Sequence, residues 1–472
     1  MYNSQLIKIC KSLSKSELRE LERFVHSPYF NQKEEVTRLY DYIAQNLGSN
    51  PILFQKEKIY EILFPRQQYN DGHMRLMIHN LLKIIKLYFI QKEMESDETD
   101  IQLHLARAMK KRGFDGGFEK EITIVEESNI KKPYRNANFF YKNYLIEIEQ
   151  LEHLTFSRRK GEMPYQNLFD SLVKFYIIEI LRHRSVALSY QTVAHGHYEV
   201  PLFESVIELL EKGNFLKKNA NNTEGVAIAL YYNIYKALKT NDDIYFKELK
   251  KLLSKNWMCF PESESRVIYL QAINFCIKRI NIGEKNYLDE YFDLTQSGLE
   301  NKLLFENGVL SKFTFKNAVT VALRLEKFDW VKQFLDNYKQ YLHPKDKETA
   351  YNFNSATYYY RLKNYSEAMK LLQKIDTNDV LTNTDARSML IRIYYDTQAF
   401  DALSSLLDSF LTYINRQKDI SYHKQSYLNF ILFIKQLLKI DMKNQTEKDK
   451  LLKEINATKN VVEKDWLIEK LQ

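Results

Sequence analysis

Residues 354–375 read NSATYYYRLKNYSEAMKLLQKI. A polar break at Lys363-Asn364 separates two amphipathic runs, and Tyr365 stands seven residues before Leu372. Seven residues are two helical turns, so the ring and the leucine fall on one side of a helix. The stretch predicts a helical hairpin. Working outward, the same ring-and-leucine offset occurs at Phe246 and Leu253, Tyr287 and Leu294, Phe328 and Leu335, and Phe400 and Leu407. The rings are 41, 41, 37 and 35 residues apart, and each follows a short polar break with another amphipathic run before it. A self-similar unit at this period is the mark of stacked helical hairpins.

Composition agrees. Gly (12) and Pro (8) are 20 of 472 residues, about 4%, against about 12% in an average protein, so folds rich in tight turns are excluded. No glycine follows Gly308 and no proline follows Pro344, which predicts an almost entirely helical stretch over 345–472. The net charge of +8 is spread thinly along the chain, and residues 1–100 balance to zero. No basic arm or basic amphipathic helix stands out, as nucleic acid or a membrane surface would require. Apolar runs such as Ile84–Ile90 and Phe430–Ile434 are too short to span a bilayer, and the start, MYNSQLIKICKSLSKSE, lacks a signal-like apolar stretch. Three cysteines without a CxxC pair suit reduced thiols. A cytoplasmic protein without membrane contact is expected.

Residues 354–375 resemble the tetratricopeptide repeat. Ala356, Tyr359, Tyr365, Ala368 and Leu372 fall where that motif places small, aromatic, aromatic, small and large apolar residues. The neighbouring hairpins depart from it, with Val319 and Ile391 at the first small position and Val331 and Leu403 at the second. The resemblance implies an all-α fold, a degenerate TPR-like right-handed superhelical α-solenoid of antiparallel helical hairpins, over 225–415. Around it the expected organisation is an N-terminal helical module (1–95), middle hairpins (96–224) and C-terminal capping helices (416–472), since an array end must cover its stacking surface. LSKSELRELERFVHSPYFN, residues 13–31, is similar to the opening of uncharacterised bacterial helical proteins, which brings no function.

Within the first module, Ser14 and Glu17 have capping-box spacing, Ser27-Pro28 stops the helix, and Val36, Leu39, Tyr40 and Ile43 share a face of the next one. The dense apolar run Leu76–Ile90 predicts a helix buried on most sides, with Lys83 and Lys86 reaching solvent. Glu95–Asp100 reads either as a boundary or as a helix start carrying favourable carboxylates.

No catalytic signature is present: no P-loop ending, GxSxG elbow, HExxH or dinucleotide fingerprint. Hence no enzyme activity, cofactor or metal is expected. His195-Gly196-His197 with Glu199 is the one tight histidine cluster, and it reads equally as a polar loop. Gly113–Gly117 after Lys110, Lys111 and Arg112 reads as a turn following a basic helix end.

Function therefore rests on a surface. In the resemblance 351–362 is the inner helix, so Phe353, Thr357, Tyr360 and Arg361 share a face; the same offsets give Lys316, Thr320, Leu323 and Arg324 before it, and Ser388, Arg392 and Tyr395 after it. Arginine forks suit carboxylates and rings add apolar anchoring, so the expected partner is a protein or peptide, acidic or offering a terminal carboxylate. The competing reading is a set of solvated charges partly neutralised by Asp385 and Asp396. The alternative function is a regulator contacting nucleic acid through Lys131, Lys132, Arg135, Arg158, Arg159 and Lys160 with Tyr134, Phe139 and Phe140 as stacking groups.

Overall fold

A computed structural model describes residues 1–157, 163–191, 198–213, 223–375, 379–417 and 423–472. Among these the chain is helical throughout, apart from one two-stranded hairpin. It divides into two compact units, 1–133 with 138–175, and 134–137 with 176–472.

In the first unit, helix Lys15–His26 opens on the expected capping box: Glu17 N–H donates to Ser14 Oγ at 3.2 Å, and Ser14 N–H to Glu17 Oε2 at 2.7 Å. It stops before Ser27-Pro28. Helix Glu34–Asn46 buries Val36, Leu39, Tyr40 and Ile43. They join Leu6, Leu21, Val25 and Phe54 and the inner face of helix Asp71–Met94 in one core. That long helix corrects the expectation drawn from its apolar density. Met77, Leu81, Ile85 and Tyr88 are buried, but Leu76, Leu87, Phe89 and Ile90 are exposed together with Lys83 and Lys86. Only one stripe of a helix can face a core on one side, whatever the composition of the rest.

Helix Glu98–Lys111 begins at Asp97, whose carboxylate accepts from Thr99 N–H at 2.9 Å, so the acidic stretch is a helix start. The turn into Asp115–Lys131 uses Gly113 at φ 74°, and Phe114 N–H closes it on the Met109 carbonyl at 3.1 Å. Leu103, Ala106, Phe118, Val125 and Ile146 pack these two helices against Ala137–Ser157.

In the second unit, consecutive helices pack in pairs: Val226–Thr240 with Asp243–Asn256, Glu262–Asn281 with Tyr287–Glu300, Lys312–Arg324 with Phe328–Tyr338, Lys347–Arg361 with Tyr365–Leu372, and Val380–Asp396 with Phe400–Arg416. The last three pairs turn in the same way. Glu326, Lys363 and Gln398 adopt φ near 60°, and the next N–H reaches back to the carbonyls of Ala322, Tyr359 and Tyr394 at 2.9, 2.9 and 2.8 Å. This is the Schellman closure, which satisfies a helix-end carbonyl while reversing the chain.

All five leucines of the seam are buried, but the rings are not equivalent. Phe246 and Tyr287 are buried, Phe328 and Tyr365 half-buried, and Phe400 is 49% exposed. For Phe328, Tyr365 and Phe400 the fully buried contact is made three residues later, by Val331, Ala368 and Leu403, whereas Tyr287, which also opens its helix, is covered by Phe246 and Phe275. An Asn307-Gly308 turn, with both residues at positive φ, joins strands Phe305–Glu306 and Val309–Leu310. Finally, Leu403, Leu407, Phe410 and Ile414 share a core with Phe430, Ile434, Ile455, Trp466 and Leu467, contributed by helices His423–Leu437, Gln445–Ala457 and Lys464–Leu471.

Candidate functional site

The residues of the expected groove lie on three helices, Lys312–Arg324, Lys347–Arg361 and Val380–Asp396, and the first packs on the second and the second on the third. Their fates differ. Leu323 and Ser388 are buried, and the Ser388 hydroxyl is spent on the Thr384 carbonyl at 2.9 Å, so neither presents a surface. Phe353 is buried beneath the Lys316 ammonium, which lies 5.4 Å from the ring centroid. Lys316 is paired with Asp385, and Asp385 also accepts from the Tyr427 hydroxyl at 2.7 Å. Thr320 and Thr357 turn their hydroxyls onto their own helices, to the carbonyls of Lys316 and Phe353 at 2.9 Å each.

At the far end the chain covers its own surface. Arg392 is stacked over the Tyr360 ring at 4.6 Å and donates to Glu463 at 3.0 Å, while Tyr395 meets the Trp466 indole edge-on at 5.3 Å. Lys470 pairs with Asp396 at 2.8 Å, and the hydroxyls of Tyr360 and Tyr365 donate to the same carboxylate at 3.2 and 3.3 Å. Burial, with that carboxylate beside it, pushes the Tyr360 phenol well above its usual range. Of the two carboxylates expected to neutralise the groove, Asp385 does so on Lys316, whereas Asp396 is taken by Lys470 and Arg392 is paired with Glu463 instead. What stays open is Arg324, exposed and without a carboxylate partner among the described residues, and Arg361, whose guanidinium makes only a 3.4 Å bond to the Leu323 carbonyl.

Offsets along these three helices miss a second surface. Arg387 and Arg416 line an open cleft of about 670 Å³ with Ser409, Thr412 and Tyr413, between helices Val380–Asp396 and Phe400–Arg416. The Arg387 guanidinium lies over the Tyr413 ring at 4.8 Å. Neither arginine has a carboxylate partner among the described residues; Asp408, at the cleft edge, is held by Lys435 at 2.8 Å. A ring that carries a guanidinium on its face holds it in place without neutralising it. The only sequence signal was two arginines and a tyrosine on the two arms of one hairpin.

Most groups named for nucleic acid are otherwise engaged where they are described, Tyr134 being exposed. Phe139 and Phe140 are buried, Lys132 pairs with Asp97 at 2.7 Å, and Lys131 pairs with Glu127 at 3.2 Å. The Arg135 guanidinium donates to the Tyr134 carbonyl at 2.7 Å. Arg158, Arg159 and Lys160, like His195 and His197, lie outside the described residues. Cys10, Cys259 and Cys276 are all unpaired, and burial pushes the Cys10 thiol up to about 11, out of the nucleophilic range at neutral pH. Among the described residues no helix is long and apolar enough to cross a membrane.

No protein-family model, curated protein or solved structure matches the chain.

Proposed function

We propose that the protein is a non-enzymatic cytosolic adaptor, a TPR-like right-handed α-solenoid in its C-terminal half, that binds an acidic segment of another protein. The observation carrying this reading is the cleft that Arg387 and Arg416, unmatched by carboxylates among the described residues, line together with Tyr413. Two guanidinium forks beside one aromatic ring suit a peptide that offers carboxylates near an apolar residue. Arg324 and Arg361 add a second positive point on the same unit. The cis contact of Glu463 and Trp466 with Arg392 and Tyr395 is an example of the same chemistry, an acidic and aromatic segment seated on an arginine and a ring.

Two charge-reversed proteins test it, Arg387→Glu with Arg416→Glu, and Arg324→Glu with Arg361→Glu, each checked for native helicity by circular dichroism. Affinity purification from the native cell with the unaltered chain gives the reference partners. Loss of those partners in the Arg387/Arg416 protein, with direct binding of an acidic segment from one of them, supports the adaptor reading; an unchanged partner set removes it. Binding of arbitrary DNA duplexes with a steep loss on adding salt would replace it with the nucleic-acid alternative.

A further inference from the structure

We propose that Glu22, His26 and Asp41 form a binding site for a divalent first-row transition-metal ion, with Zn²⁺ as its reference ligand. Glu22 and His26 are one helical turn apart on Lys15–His26, and Asp41 projects from Glu34–Asn46. One ligand atom from each lies within 4.8 Å of the other two, and His26 Nε2 is 2.8 Å from Asp41 Oδ1. Neighbouring ligands held about 2.1 Å from a tetrahedral or octahedral ion are themselves about 3 to 3.5 Å apart. Side-chain rotation alone is thus enough to close the three onto an ion. An imidazole with two carboxylates suits Zn²⁺ and its neighbours better than Ca²⁺ or Mg²⁺, which take oxygen alone.

Two further observations point to a cation here. Glu22 and Asp41 bring two carboxylates together, and no lysine or arginine is ion-paired to either among the described residues. A simple His26–Asp41 pair accounts for two of the three groups and leaves Glu22 unexplained. His26 is also the last residue of its helix, where the negative end of the helix dipole favours positive charge.

The frame is already rigid. Val25 and Tyr40, beside the ligands in sequence, are buried, and the Tyr40 hydroxyl donates to the Leu18 carbonyl at 2.6 Å. In the connection between the helices, the Asn31 amide donates to the Val25 carbonyl at 3.0 Å and to Thr37 Oγ1 at 2.9 Å. Since Glu22 and His26 are exposed and Asp41 half-buried, water completes the coordination. A bound ion clamps the two helices and stabilises the first unit by mass action.

Calorimetric titration of the full-length chain with a zinc salt, with a thermal melt alongside, tests this. The expected result is one saturable Zn²⁺ per chain whose affinity falls by roughly tenfold or more in His26→Ala and in Asp41→Asn. A His195→Ala, His197→Ala protein controls for other histidines and should bind as the native chain does. Of the two altered side chains His26 is exposed and Asp41 half-buried, and unchanged circular dichroism confirms that folding is retained. Zn²⁺ binding undiminished by His26→Ala, its loss only in the His195/His197 protein, or no saturable binding below about 100 µM would each overturn the assignment.

Discussion

Asp97 shows what one residue does in this fold. It caps helix Glu98–Lys111 and is the ion-pair partner of Lys132 and of Lys142, which is buried. Burial alone would raise its carboxyl, but the hydrogen bonds from Lys132 and Lys142 and the Lys142 charge prevail and hold it well below the usual carboxylate range. A carboxyl depressed in the folded state contributes stability in full above about pH 4, and that contribution is lost as pH falls through the folded value. Asp97→Asn is therefore expected to cost about 2 kcal/mol at pH 7, Asp100 retaining part of the Lys142 pairing at 3.0 Å. Urea unfolding should show the gap between native and variant closing in strong acid; a gap constant from pH 7 to pH 2 would contradict the assignment. The sequence disclosed the cap, because a capping residue acts within a turn of its own helix. It did not disclose Lys142, 45 positions away, because that contact exists only once three helices have met.

The same divide runs through the elements. Hairpin boundaries were legible from the periodic leucines and polar breaks, since both are local, and helix-end closures at Glu326, Lys363 and Gln398 follow those breaks. The depth of each ring was not legible, because it depends on which side chains of other helices reach it, as Phe275 reaches Tyr287, and neither was the exposed side of Asp71–Met94, because density of apolar residues does not say which stripe finds a partner. Lys363 holds φ 60°, a region that costs an ordinary residue roughly 1 kcal/mol and a β-branched one more. Lys363→Gly should leave stability unchanged or raise it by up to about 1 kcal/mol, whereas Lys363→Val should lower it by about 1 to 2 kcal/mol. Thermal unfolding places the Val variant below both the native chain and the Gly variant if the closure is as described; a Val variant as stable as the Gly variant would show that the turn rearranges.

At the scale of the molecule, much of the groove deduced from offsets is engaged within the chain: Phe353, Leu323 and Ser388 are buried, and Arg392 and Tyr395 already hold Glu463 and Trp466. No local pattern connects positions some 70 residues apart, so the sequence could not announce that occupant, and for the same reason it passed over the Arg387–Tyr413 cleft. Trp466 is largely buried in the C-terminal core with Leu467 and Leu471. Trp466→Ala should cost about 3 kcal/mol and uncover Tyr395, read as a lower denaturation midpoint with new binding of a hydrophobic dye. A midpoint within error of the native value would mean that Lys464–Leu471 does not seal that core. Trp257, Trp330 and Trp466 all belong to the second unit, and residues 1–175 contain no tryptophan. Indole emission is thus a reporter confined to one half, while far-ultraviolet dichroism sums both; superimposing the two melting curves tells whether the halves come apart as one cooperative body or in turn.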